Sequence, residues 1–217
     1  MKQSNINPVR SAAYDRVKIA IQKDGRLKKD SLAFFQSLGL RFSPKAGRML
    51  IAPCQNHNAE ILYVRHGDIP QYIQSGAADF GIVGENILFE NDFDVKIVKK
   101  LEFGQCALAI AAPMRSRIQS ITELEGERIA TSYPNSLRKF LQEQRINASI
   151  VEIKGSVELA PALGLADAIC DLTQTGNSLK ENRLKQIAEL FKSEAVLIES
   201  VFESEQKREF IKQFLYD

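Results

Sequence analysis

Residues 166–179 read Ala-Asp-Ala-Ile-Cys-Asp-Leu-Thr-Gln-Thr-Gly-Asn-Ser-Leu. The apolar run from Ala166 to Leu172 predicts a strand, Thr173–Ser178 a polar loop around Gly176, and Leu179 lies in the helix that follows. Strand, loop and helix in that order are the building unit of an α/β fold. The alternation recurs on both sides. Val17–Ile21 predicts a strand before a helix over 28–38, where Leu32, Phe35 and Leu38 share a face and Gly39 stops it. Glu60–Arg65 predicts a strand before a helix over 68–76, with Asp68 as N-cap, Pro70 in its first turn and Gly76 beyond its end. Asp79–Val83 leads into a helix opening at Gly84-Glu85-Asn86, and Val95–Leu101 and Cys106–Ala112 are apolar strands. Arg128–Thr131 precedes a helix from Pro134-Asn135 with Leu137, Phe140 and Leu141 on one face. Ala148–Ile153 and Ala195–Ser200 are strands, and Ser204 caps a terminal helix bearing Phe210, Ile211 and Phe214.

Eight or nine strands exceed one tidy sheet, so the pattern predicts two α/β lobes with mostly parallel sheets and a ligand cleft between them. The stretches near 105–112 and 185–200 are the places for the chain to cross over, giving a discontinuous first lobe (1–104 and 188–217) and a second (105–187). The 217 residues are 44% hydrophobic and 26% charged, which excludes disordered, collagen-like and coiled-coil chains. A net charge of +2 argues against a nucleic-acid partner. The total conceals a gradient: residues 1–50 hold 11 basic and 3 acidic side chains, and residues 151–217 hold 8 and 12. No window approaches a membrane span, the first 15 residues lack the apolar core of a signal peptide, and Cys54, Cys106 and Cys170 have no CxxC spacing. A cytoplasmic protein with reduced thiols is expected. With only His57 and His66, a Ser-His-Asp triad and a His-rich metal site are both disfavoured.

Four segments are candidates for chemistry. In Thr173-Gln174-Thr175-Gly176-Asn177-Ser178, hydroxyls and a glycine at a helix start would turn backbone N–H groups toward one point, as a phosphate cradle does. Glu158, Asp167 and Asp171 nearby suit sugar hydroxyls or a hydrated Mg²⁺. The plain alternative is a capped turn. Lys23, Gly25 and Arg26 follow the first strand, where ligands of open α/β sheets bind, and Arg48 and Arg65 near other strand ends could converge on a polyphosphate. A solvated basic loop is the alternative. Gly84-Glu85 closes a glycine-bearing strand-to-helix turn that is either a close approach to ligand or simple packing. Thr131 and Tyr133 stand where a strand meets a helix, able to grip a phosphate and a base or merely to cap the helix.

Six segments resemble, in order, the motifs of the ATP phosphoribosyltransferase family: Gln22–Arg26, Asp68-Ile-Pro70, Ala78–Asn86, Arg128–Pro134, Gly155–Pro161 and Leu165–Leu179. The resemblance implies a bilobal fold of the periplasmic-binding-protein type. It implies Mg²⁺-dependent transfer of phosphoribosyl from phosphoribosyl pyrophosphate (PRPP) to N1 of ATP, releasing pyrophosphate, the first step of histidine biosynthesis. Thr173 to Ser178 would hold the PRPP 5′-phosphate, and Glu158, Asp167 and Asp171 would face the ribose and the metal, which is carried mainly by substrate phosphates with Glu158 and Asp171 as candidate protein donors. Arg26 and Arg48 would act on the pyrophosphate and ATP phosphates. Length sets the chain beside short-form members, which assemble as catalytic dimers within a hetero-octamer with a regulatory subunit similar to histidyl-tRNA synthetase.

That division fits the chemistry. Displacement at the anomeric carbon builds positive charge on the ribose and negative charge on the departing pyrophosphate, so carboxylates and cations there favour the transition state over the ground state. The adenine N1 supplies its own lone pair. The competing expectation is a non-catalytic small-anion binding module on the same fold.

Overall fold

The computed structural model describes residues 16–43 and 49–215. Among them are eleven strands and six helices in two mixed sheets. The chain forms two compact units: unit 1 comprises 1–84, 93–103 and 195–217, and unit 2 comprises 85–92 and 104–194.

Unit 1 is built on β1 (Val17–Gln22), β2 (Ile51–Pro53), β3 (Ala59–Val64), β4 (Phe80–Gly84), β5 (Lys96–Lys100) and β11 (Ala195–Glu199), in the order β2-β3-β1-β4-β11-β5. β1 runs parallel to β3 and β4, whereas β2, β11 and β5 pair antiparallel to their neighbours. Every residue of β4 and β11 is buried, as expected for strands covered on both faces. Helix α1 (Leu27–Ser37) buries Leu27, Ser31 and Phe35, spaced four apart on one stripe, and Gly39 (φ 85°) ends it. Helix α2 (Ile69–Gln74) is preceded by a 3-10 turn over His66–Asp68, and the Asp68 side chain makes no capping bond, contrary to the cap expected there. The terminal helix α6 (Glu205–Phe214) is capped by Ser204, whose hydroxyl accepts the Lys207 N–H, and packs Phe210 on Phe80. Lys207, fully buried, donates to the Ser200 and Phe202 carbonyls and pairs with Glu199 at 3.6 Å.

Unit 2 orders β6 (Cys106–Pro113), β7 (Arg128–Thr131), β8 (Ser149–Glu152), β9 (Ala168–Thr173) and β10 (Leu184–Ser193) as β10-β6-β9-β7-β8. β7, β8 and β9 are parallel, and β6 pairs antiparallel with β9 and β10. Helices α3 (Glu85–Glu90), α4 (Pro134–Gln144) and α5 (Asn177–Glu181) complete the unit.

Two expectations are corrected. The sheets are mixed rather than mostly parallel, because the return strands β10 and β11 run against their neighbours. The division also falls elsewhere: residues 188–194 stay in unit 2, since β10 follows β6 as far as Ser193, and residues 85–92 join unit 2 as well.

Candidate active site

In unit 1 the candidate residues gather at the carboxyl ends of the parallel strands. The Lys23 N–H donates to the Val64 carbonyl at 2.7 Å, so the loop after β1 is tied to the end of β3. Gln22 folds back to accept the Leu27 N–H at 3.1 Å, and Gly25 (φ 120°) turns the chain over that side chain. That φ is one that side chains rarely adopt, so the turn favours glycine, and a β-carbon would also have to displace the Gln22 amide 2.2 Å away. Arg26 and Arg65 are exposed at this edge, and Lys23 is half-buried. Arg48 lies outside the described residues.

Sequence reasoning passed over His66 at the same edge. The Gly84 N–H donates to His66 Nε2 at 3.0 Å. Burial, with the Arg26 guanidinium second, pushes the imidazole pKa down to about 4. Gly81 resolves as packing: a β-carbon there would meet Ile69 Cγ2 at 2.7 Å. Glu85 belongs to unit 2, where its N–H donates to the Glu194 carbonyl at 3.0 Å and its carboxylate accepts the Glu194 N–H.

In unit 2 the corresponding edge is the carboxyl end of β7, β8 and β9. Side chains alternate along a strand, so Ile169, Asp171 and Thr173 share a face of β9. Ile169 packs with Val157 and Ala160, which flank Glu158 in a 3-10 turn, and with Leu179 of α5. The same face therefore brings Asp171, the Glu158 turn and the Thr173–Ser178 loop into one neighbourhood. The Thr173 hydroxyl is buried and has no hydrogen-bond partner among the described residues. An orphaned buried hydroxyl costs about 1–3 kcal/mol. Gly176 (φ 72°) turns the loop, and a β-carbon there would meet nothing within 4 Å. Gln174, Thr175, Asn177 and Ser178 are exposed. With five residues, α5 is too short for much dipole, so any anion affinity rests on the loop itself.

Two other candidates already have hydrogen-bond partners within the protein. Asp167 stands at the amino end of β9, about 20 Å of strand from Thr173 by the usual rise. It is held by Arg128, whose Nε and Nη2 lie 3.0 Å from its two carboxylate oxygens, and that pairing holds its carboxyl below the usual range. Thr131 is fully buried; its hydroxyl donates to the Cys170 carbonyl at 2.7 Å and accepts the Tyr133 N–H at 2.9 Å, so it is occupied within the protein. Tyr133 remains half-buried, with its hydroxyl accepting from Asn86 Nδ2. The start of α4 is already filled: Glu90 accepts the N–H groups of Asn135 at 2.8 Å and Ser136 at 2.9 Å. The three cysteines are free thiols, and burial pushes that of Cys170 up.

Among the described residues no helix is long and apolar enough to cross a membrane, and no three His, Cys, Asp or Glu side chains form a metal cluster.

The fold is that of a two-lobed α/β protein of the periplasmic-binding-protein type, and the candidate residues gather at one edge of each unit. The alkanesulfonate-binding protein SsuA from Xanthomonas axonopodis shares the fold alone, at 17% identity and a TM-score of 0.55 over 86% of this chain and 66% of that one. A family model described as ATP phosphoribosyltransferase matches residues 65–217. The ATP phosphoribosyltransferases of Cytophaga hutchinsonii and Bacteroides thetaiotaomicron are 42% and 40% identical to this chain, over 92% of it and 70% of each relative. The Thermotoga maritima "ATP phosphoribosyl transferase (HisG:HisZ) complex" superposes with a TM-score of 0.77 at 31% identity, covering 92% of this chain and 94% of that one. The chain belongs to the ATP phosphoribosyltransferase family, pentosyltransferases that need a metal and catalyse the first step of histidine biosynthesis by joining the phosphoribosyl group of PRPP to ATP.

Proposed function

We propose that the two edges divide the reaction between them. The Thr173–Ser178 loop of unit 2 holds the PRPP 5′-phosphate, with Asp171 and Glu158 at the ribose. Lys23, Gly25, Arg26, Arg65 and Gly84 of unit 1 receive polyphosphate oxygens, as does Arg48, while Tyr133 faces the adenine and Glu85 fixes the turn after Gly84. The observation that supports this most is the buried Thr173 hydroxyl, which has no partner among the described residues, at the mouth of a loop with an open Gly176. A buried donor that finds no acceptor in the protein is suited to one that arrives with a ligand.

The metal is Mg²⁺. A hard cation is suited to travel on a diphosphate, and Asp171 and Glu158 are the residues that would offer it protein oxygens. When bound, it neutralises charge growing on the departing pyrophosphate. The residues of the chain do the rest: the loop fixes the 5′-phosphate, the carboxylates favour positive charge on the ribose, and Arg26 stabilises the leaving group. No side chain needs to remove a proton from the attacking N1. The reaction takes place in the cytoplasm, with the chain as a dimer and joined to a HisZ-like subunit, as the Thermotoga maritima relative is in its HisG:HisZ complex.

An absorbance assay for N1-phosphoribosyl-ATP with ATP, PRPP and Mg²⁺, run on the chain alone and with a HisZ-like subunit, tests this reading. Product is expected in at least one condition, and Arg26→Ala is expected to lower turnover tenfold or more. No product in either condition would favour the small-anion binding module.

A further inference from the structure

The carboxyl edge of unit 1 contains one group that the motifs do not account for. β3 and β4 flank β1, and His66 leaves β3 just after Arg65. Its imidazole nevertheless reaches the last residue of β4, where the Gly84 N–H donates to Nε2 at 3.0 Å. The ring therefore lies across the end of β1, directly beside the Lys23–Arg26 turn. Because Nε2 accepts, the proton of the neutral ring sits on Nδ1. Among the described residues no acceptor pairs with Nδ1, and Nδ1 is not sealed off from solvent, so the N–H is accessible to a ligand.

We infer that His66 is a second, uncharged recognition group of the unit 1 subsite: Nδ1–H donates to a phosphoryl oxygen of the polyphosphate held by Arg26, while Nε2 pins Gly84. This rests on the polyphosphate reading of the Lys23–Arg26 turn. A neutral ring suits the position. A second cation would be repelled by Arg26 and would lose the acceptor that holds the Gly84 N–H. Burial and the Arg26 charge both keep the proton off Nε2, with a pKa near 4. The polyphosphate belongs either to the nucleotide or to the pyrophosphate group of PRPP, and both present the same oxygens.

Calorimetric titration of ATP and, separately, of inorganic pyrophosphate into wild type, His66→Phe, His66→Gln and Arg26→Ala separates the possibilities. A hydrogen bond to a charged oxygen is worth about 10- to 100-fold in affinity. His66→Phe is expected to weaken ATP or pyrophosphate by tenfold or more, and the ligand affected identifies the source. His66→Gln, which keeps one acceptor and one donor, is expected to stay within about threefold of wild type. Arg26→Ala is expected to weaken the same ligand. Nitrogen-15 chemical shifts at pH 7 are expected to show a protonated Nδ1 and an unprotonated Nε2. Wild-type affinity of His66→Phe for both ligands, with Arg26→Ala impaired, would overturn the inference and leave the subsite standing. Wild-type affinity of Arg26→Ala for both would overturn the subsite itself. Equal weakening in the Phe and Gln variants with a lowered Tm would mark a purely structural histidine, and an Nε2–H tautomer would contradict the geometry.

Discussion

Arg128 and Asp167 close a two-pronged ion pair, with both N···O distances 3.0 Å, and the Arg128 backbone N–H donates to the same carboxylate at 3.0 Å. The pair ties the amino ends of β7 and β9, the edge opposite the candidate phosphate loop. Asp167→Asn is therefore expected to leave kcat and both KM values within about twofold while lowering stability by about 1 kcal/mol, the usual size for a half-exposed pair with good geometry. Steady-state kinetics and urea unfolding measure the two effects. A tenfold loss of turnover in a folded variant would return Asp167 to the active site.

Glu90 acts as a cap supplied from another helix. Tyr133, the residue before α4, makes no side-chain capping bond, and the Glu90 carboxylate takes the Asn135 and Ser136 N–H groups instead. Glu90→Ala is expected to cost about 1–2 kcal/mol, the range of a lost N-cap, with Glu90→Gln recovering part of it. Equal Tm values for wild type and Glu90→Ala would contradict the cap.

His66 links stability to pH. Its folded pKa of about 4 lies below the ordinary 6.5, so between those values the unfolded chain binds a proton that the folded chain refuses. Folding stability is thus expected to fall as pH drops from 7 to 4, by roughly 3 kcal/mol from this group at most. His66→Gln is expected to remove that portion of the slope in urea titrations. An unchanged slope would mean that the ring is protonated as readily in the folded protein as in water.

The alternation of strands and helices was legible because its signals are local. Helices α1 and α2 stop at Gly39 and Gly76, α6 starts at a capping Ser204, and the structure keeps each of those boundaries. β10 was not legible as a strand. Its Leu184, Ile187, Ala188 and Phe191 recur at helical spacing, and bulges at Gln186/Ala188 and Glu189/Phe191 break the period of two. Asp167 and Asp171 are neighbours in sequence, but a rise of four residues along a strand puts about 13 Å between them. His66 was hidden for the converse reason: its partner Gly84 is 18 residues away, and only the strand order β3-β1-β4 brings them together.

The central claim is that the loop after β9 binds the PRPP 5′-phosphate through groups that include the Thr173 hydroxyl. Calorimetric titration of PRPP with Mg²⁺ into wild type and Thr173→Val, alongside urea unfolding of both, tests it most directly. Valine replaces a buried hydroxyl that has no protein partner among the described residues, so the free protein is expected to gain about 1 kcal/mol of stability. PRPP affinity is expected to fall tenfold or more. A variant that binds PRPP as tightly as wild type would contradict the cradle.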